Sequence, residues 1–177
     1  PRLEVAKTVS TYPFTLETNG KLSDDRASAL QYQISVTNNG TGPGKYTLED
    51  WPQFASGVDL LGDHHNIVSA EVVNATTGEK TKLSLPGYTL YVDQYGKPVL
   101  FGFAKDLEIK PNTTHVYTVQ LAYGERTDFF ENANQRDYVC SSTPGEGRKG
   151  LNNKAQLVSV KNPANGDAEV KGEPGQY

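Results

Sequence analysis

The chain has 177 residues, 36% of them hydrophobic, with 10 Tyr and 6 Phe and a formal net charge of −4. That length allows one domain with a sizeable core. Mild acidity without a basic stripe argues against a nucleic-acid partner, and no apolar run is long enough to span a bilayer. The single cysteine, Cys140, cannot form an internal disulfide and belongs to no C-x-x-C metal spacing.

The opening "RLEVAKTVS" alternates. Leu3, Val5, Lys7 and Val9 fall on one side of an extended strand, which places a charge in the middle of an apolar row. A buried lysine is costly unless it is paired or neutral. "ALQYQISVTNNGTGPG" puts Leu30, Tyr32, Ile34 and Val36 on one face and ends in the turn cluster Asn38 to Gly44. "KYTLEDWP" resumes the alternation with Tyr46 and Leu48, with Pro52 expected to stop it. "NIVSAEVVNATTGEKTKLSLPG" predicts a hairpin turning near Thr77-Gly78, and "YTLYVDQYGKPVLFGFAKDLEI" another turning at Gln94 to Pro98. "THVYTVQLAYG" aligns His115, Tyr117, Val119 and Leu121. "GLNNKAQLVSV" groups Leu151, Asn153, Ala155, Leu157 and Ser159, with Val158 and Val160 on the opposite side.

Helical periodicity is weak. The best short candidates are "WPQFASGVDLLG" and "DFFENANQRD". Many strands separated by Gly/Pro/Asn turns predict an all-β, Ig-like sandwich with inserted hairpins and at most short helical turns. One domain is expected over 1–171, with the excess over a minimal Ig domain in 54–85 and 123–150. A last short strand is expected within Ala168 to Lys171, and 172–177 reads as a linker or tail.

In order along the chain, "LEVAKTVS", "LQYQISVTNNGTGPG", "YTLEDWP", "LEIKPNTTHVYTVQL" and "GLNNKAQLVS" together resemble the conserved-repeat domain of Gram-positive bacterial surface proteins. That family is Ig-like, is often catalogued only as a domain of unknown function, and is similar to the modules stacked in adhesins and pilins. The resemblance implies an extracellular, cell-surface structural module, anchored to the wall through another segment and partnered by neighbouring domains of the same protein. It implies no cofactor, no metal and no enzymatic turnover. It also implies an internal isopeptide bond between a first-strand lysine and a last-strand asparagine, assisted by an acid. By motif these are Lys7 in "VAKTV", Asn153 in "LNNKAQ" and Asp50 in "TLEDWP". Asn152 and Glu49 are their off-phase neighbours.

The residues support that assignment on their own terms. Lys7 is in phase with Val5 and Val9, Asp50 with Tyr46 and Leu48, and Asn153 with Leu151 and Ala155. Burial lowers a lysine pKa and raises a carboxyl pKa. An amine made neutral in this way can attack an amide carbonyl polarised by a protonated acid. Two other arrangements fit the residues alone: a lysine that snorkels its amine to solvent, and a plain Lys7–Asp50 salt bridge with Asn153 a bystander.

An adhesive binding module is the alternative. It would recognise a host glycan or protein through 54–105, with Tyr88, Tyr91 and Tyr95 as contacts. "GDHHN" reads as a polar turn, since adjacent histidines His64 and His65 point apart on a strand. The sequons at Asn39, Asn74 and Asn112 carry no functional weight in a bacterial protein. The carboxylates Asp106/Glu108 and Glu125/Asp128 do not rise above surface charge.

Overall fold

A computed structural model of the chain describes residues 1–15, 28–54, 58–84, 89–92, 94, 98–125 and 151–171, with the backbone alone at some strand ends. Ten strands follow one another: β1 (Leu3–Thr15), β2 (Ser28–Asn38), β3 (Gly44–Phe54), β4 (Val58–Asn74), β5 (Lys80–Lys82), β6 (Thr89–Val92), β7 (Pro98–Ile109), β8 (Thr113–Glu125), β9 (Leu151–Asn162) and β10 (Ala168–Glu169). They form two antiparallel sheets, ordered β1-β2-β8-β4-β5 and β10-β9-β3-β7-β6. The expected all-β sandwich with inserted hairpins is present. One 3-10 turn, Pro163–Asn165, is the helical structure among the described residues.

The core lies between the sheets. Leu3, Ile34, Val36, Tyr117 and Val119 face it from the first sheet, and Tyr46, Leu48, Ala104, Ile109, Leu157 and Val160 from the second. Each large apolar side chain buried there contributes about 1.5–3 kcal/mol of transfer free energy. The alternation predicted for the first, second and eighth strands is the alternation observed, with Tyr32, Ile34 and Val36 in and Gln33 out.

Four local expectations are corrected. Pro52 does not end its strand, because β3 runs on to Phe54. β7 pairs with β3 only as far as Asp50, so Pro52 sits where one flank needs no backbone donor, and β9 continues the other flank to Phe54↔Leu151. "WPQFASGVDLLG" is not helical where described, since its ends belong to β3 and β4. "GDHHN" lies within β4, where Gly62 to His65 stand against Leu121 alone between Leu61↔Ala122 and Asn66↔Gln120, so it is an irregularity within a strand rather than a turn between strands. Val160 is not opposite Leu157 in phase. The pairing with β3 slips between Thr47↔Ser159 and Leu48↔Leu157. That bulge leaves Val158 41% exposed and turns both Leu157 and Val160 inward. The second helical candidate, "DFFENANQRD", lies outside the described residues, as does Cys140.

β7 bulges at the same level. Tyr46 pairs with Leu107 but Leu48 with Ala104. Asp106 takes a left-handed backbone there (φ 48°), and its amide donates to Thr47 Oγ1 at 3.1 Å. The β4–β5 turn uses Gly78 at φ 73°, whose amide donates to the Asn74 carbonyl at 2.8 Å.

Asn38, which the sequence offered only as part of a turn, ends β2 fully buried. Its Oδ1 accepts from the amides of Arg2 (3.2 Å) and Gly40 (3.0 Å), and its Nδ2 donates to the carbonyls of Gly42 (2.9 Å) and Ile109 (3.2 Å). One side chain thus ties the start of β1, the 39–43 turn and the end of β7. Gly40 is required beside it, because a Cβ there would stand 2.6 Å from the Arg2 amide nitrogen. Asn38→Ala strands these groups in the interior and lowers stability by about 2–3 kcal/mol. Asn39→Ala, at the exposed neighbour, changes it by less than about 0.5 kcal/mol. Paired urea titrations check the contrast.

β1 begins and β9 ends at the same end of the sandwich. The Asn39 amide donates to the Arg2 carbonyl there at 2.8 Å, and Lys45 pairs with Lys161. β10 then folds back along β9, with the Val170 amide bonded to the Val160 carbonyl at 2.8 Å.

Candidate cross-link site

β1 is an edge strand of the first sheet and β3 a central strand of the second. Lys7 projects from β1 into the gap between them, and its Nζ donates to Asp50 Oδ1 on β3. The pair is cross-sheet and nearly dry: the Lys7 side chain is 11% exposed and that of Asp50 0%. Burial pushes the Lys7 pKa below its ordinary value, although the neighbouring Asp50 works in the opposite sense. The charge anomaly visible in the first strand is therefore real, and Asp50 meets it.

Asn153 is placed by register. Asp50 lies opposite Ala155 and Pro52 opposite Asn153. Facing residues share a side of a sheet, so position 153 is one rung from Asp50 on the same side, a diagonal of about 7–8 Å in a regular ladder. The Asn153 side chain lies outside the described residues. So do those of Tyr88, Tyr91 and Tyr95, and those of His64 and His65. Glu49, the off-phase neighbour of Asp50, is only half-buried and accepts from Trp51 Nε1 at 3.1 Å. Asp106 and Glu108 are exposed. No group of metal-ligating side chains occurs among the described residues, and no described helix is long and apolar enough to cross a membrane.

A second ionisable cluster escaped the sequence reading. Tyr46 on β3 and His115 and Tyr117 on β8 meet between the sheets, all 3% exposed or less. The Tyr46 hydroxyl contacts His115 Nδ1 at 2.7 Å and also the Tyr117 hydroxyl. The Tyr46 and His115 rings lie 5.6 Å apart, tilted by 56°. Burial lowers the His115 pKa to about 4 and raises those of both tyrosines. One direction that satisfies both bonds has Tyr117 donating to Tyr46 and Tyr46 to Nδ1, with the imidazole proton on Nε2; the opposite direction has Nδ1 donating to Tyr46 and Tyr46 to Tyr117. The available signal was His115 in phase with Tyr117 and Val119.

No protein-family model matches the chain, and no curated protein sequence matches it. Among solved structures it is similar to a CBM3a-L domain with flanking linkers from scaffoldin cipA of the cellulosome of Clostridium thermocellum. The identity is 12% over 97% of this chain and 95% of that one, with a TM-score of 0.44. It is also similar to a family 3a carbohydrate binding module from the cipA scaffolding of the same organism, at 14% identity over 96% and 99% of the two chains and a TM-score of 0.42.

Proposed function

We propose that this chain is a structural module of a bacterial cell-surface protein whose first and last long strands are joined by a Lys7–Asn153 amide, with Asp50 moving the protons. The observation that carries the proposal is the desolvated Lys7–Asp50 pair between the sheets, one rung from position 153. A plain salt bridge in that place is a poor source of stability, because desolvating two charges offsets most of their attraction. A reaction that consumes both the charge and the amine removes that cost.

Proton transfer from Lys7 to Asp50 gives a neutral amine and a neutral acid. The amine lone pair adds to Asn153 Cγ while the acid hydrogen-bonds to its carbonyl oxygen. The Cγ–Nδ2 bond then breaks: one of the two protons lost by Lys7 converts the departing NH₂ group to ammonia, and the other stays on Asp50 as its neutral acid. The balance is one amide formed, one primary amide consumed and one ammonia released. Both reactants are held by paired strands, so the step needs no bimolecular encounter. It runs once per chain, without turnover or cofactor.

Intact mass tests this directly. The folded protein is expected to be lighter than its sequence by one ammonia, and Lys7→Ala, Asn153→Ala and Asp50→Ala each to restore the full mass. Full mass in well-folded unmutated protein overturns the cross-link. The alternative, recognition of a glycan or protein through 54–105, would depend on Tyr88, Tyr91 and Tyr95, whose side chains lie outside the described residues.

A further inference from the structure

Lys7 Nζ has a second neighbour besides Asp50. It lies 4.3 Å from the centroid of the Tyr32 ring, over its face. Tyr32 sits on β2, where it pairs with Val9 while Ile34 pairs with Lys7, so ring and amine are diagonal neighbours on the inner face. Tyr32 is 3% exposed and cannot swing away into solvent. The amine is therefore held between a carboxylate on one sheet and an aromatic face on the other strand of its own sheet.

We propose that Tyr32 is the positioning residue of this site: its ring face seats the Lys7 ammonium before reaction and, once the proton has gone, turns the amine's free electron pair away from the ring, toward the Asp50 side of the gap.

An aromatic face is electron-rich, so it attracts a cation and N–H bonds and repels a lone pair. Desolvation strengthens that preference. Seated there, a neutral amine points its N–H bonds at Tyr32, which leaves its lone pair facing the second sheet. The consequence for the cross-link rests on the reading given above. The seat itself rests on the ring contact alone.

Isosteric rings separate the electronic role from packing. In the full chain carrying Asn153→Ala, Lys7 remains a free amine, and its side-chain NMR signal can be titrated directly. Its ammonium meets Asp50 from β3 and Tyr32 from β2, and Asp50 is kept constant. Tyr32→Phe is expected to titrate like the parent. Tyr32→pentafluorophenylalanine, with an electron-poor face, is expected to titrate lower by about one pH unit, a tenfold change in proton binding. With Asn153 present, ammonia loss is followed by intact mass during cell-free synthesis, at a pH where the amine is neutral. The fluorinated chain is expected to react several-fold more slowly and the Tyr32→Phe chain at the parental rate. An unmoved Lys7 titration in the fluorinated chain overturns the seat, as does an equal shift in Tyr32→Phe, which would assign the effect to the hydroxyl. Unmutated protein that keeps its full mass overturns the cross-link reading instead, and the titration still decides the role of Tyr32.

Discussion

Lys7→Met lowers stability by about 3–5 kcal/mol, because it takes the cationic partner away from a fully buried carboxylate. That loss alone does not separate a salt bridge from a cross-link; the double variant Lys7→Met, Asp50→Leu does. If the pair were only ionic, replacing both members with apolar residues would be neutral or stabilising. If Lys7 is bonded to Asn153, the double variant also loses the closed loop, which spans most of the chain. In the chain-entropy model such a closure contributes about 5 kcal/mol. The expected result is a double variant that stays well below the parent in guanidinium titrations and carries the full sequence mass. A double variant as stable as the parent excludes the covalent link.

Stability is also expected to fall as pH drops from about 6.5 to 4, through His115. Its folded pKa is about 4 against an ordinary 6.5, so the unfolded chain takes up this proton more readily. The contribution is fully present above pH 6.5, declines through the window between the two values and is lost below about 4. Its size is about 3 kcal/mol. Protonation would place a positive charge and two ring N–H donors in a site shut off from water. His115→Gln, which keeps a polar side chain but does not titrate, should flatten the decline. Other carboxylates titrate in the same range, so the informative quantity is the difference between parent and variant in urea titrations at pH 7.5, 5.5 and 4.5. Parallel curves would show that the cluster does not resist protonation.

What could be read from the sequence was what is local. β1, β2 and β8 keep one phase along their buried stretches, so Leu3, Ile34, Val36, Tyr117 and Val119 announce the core by alternation alone. Lys7 and Asp50 were legible for the same reason, as charges standing in apolar rows. β9 was misread beyond Leu157 because its bulge at Val158 is imposed by pairing with β3, and nothing near Val158 signals it. β4 was lost in part because Gly62 to His65 looks like a chain reversal when its pairing with β8 is unknown. The union of Tyr46 with His115 and Tyr117, and the four bonds of Asn38, join residues far apart in sequence. Each was visible as a member of its own strand or turn, and none as a partner of the others.

The shared end at which β1 begins and β9 finishes has a mechanical meaning. A pull applied to the segments flanking these strands does not slide them past one another with every rung loaded at once. It opens β1 from β2 like a zipper, one rung at a time, the direction in which a ladder resists least. The proposed covalent joint at Lys7 would stop the zipper almost at its first tooth: only Leu3 to Ala6 of β1 precede it, roughly 14 Å of extended chain. On the other side, the part of β9 beyond Asn153 stays outside the closed ring and can still peel from β3.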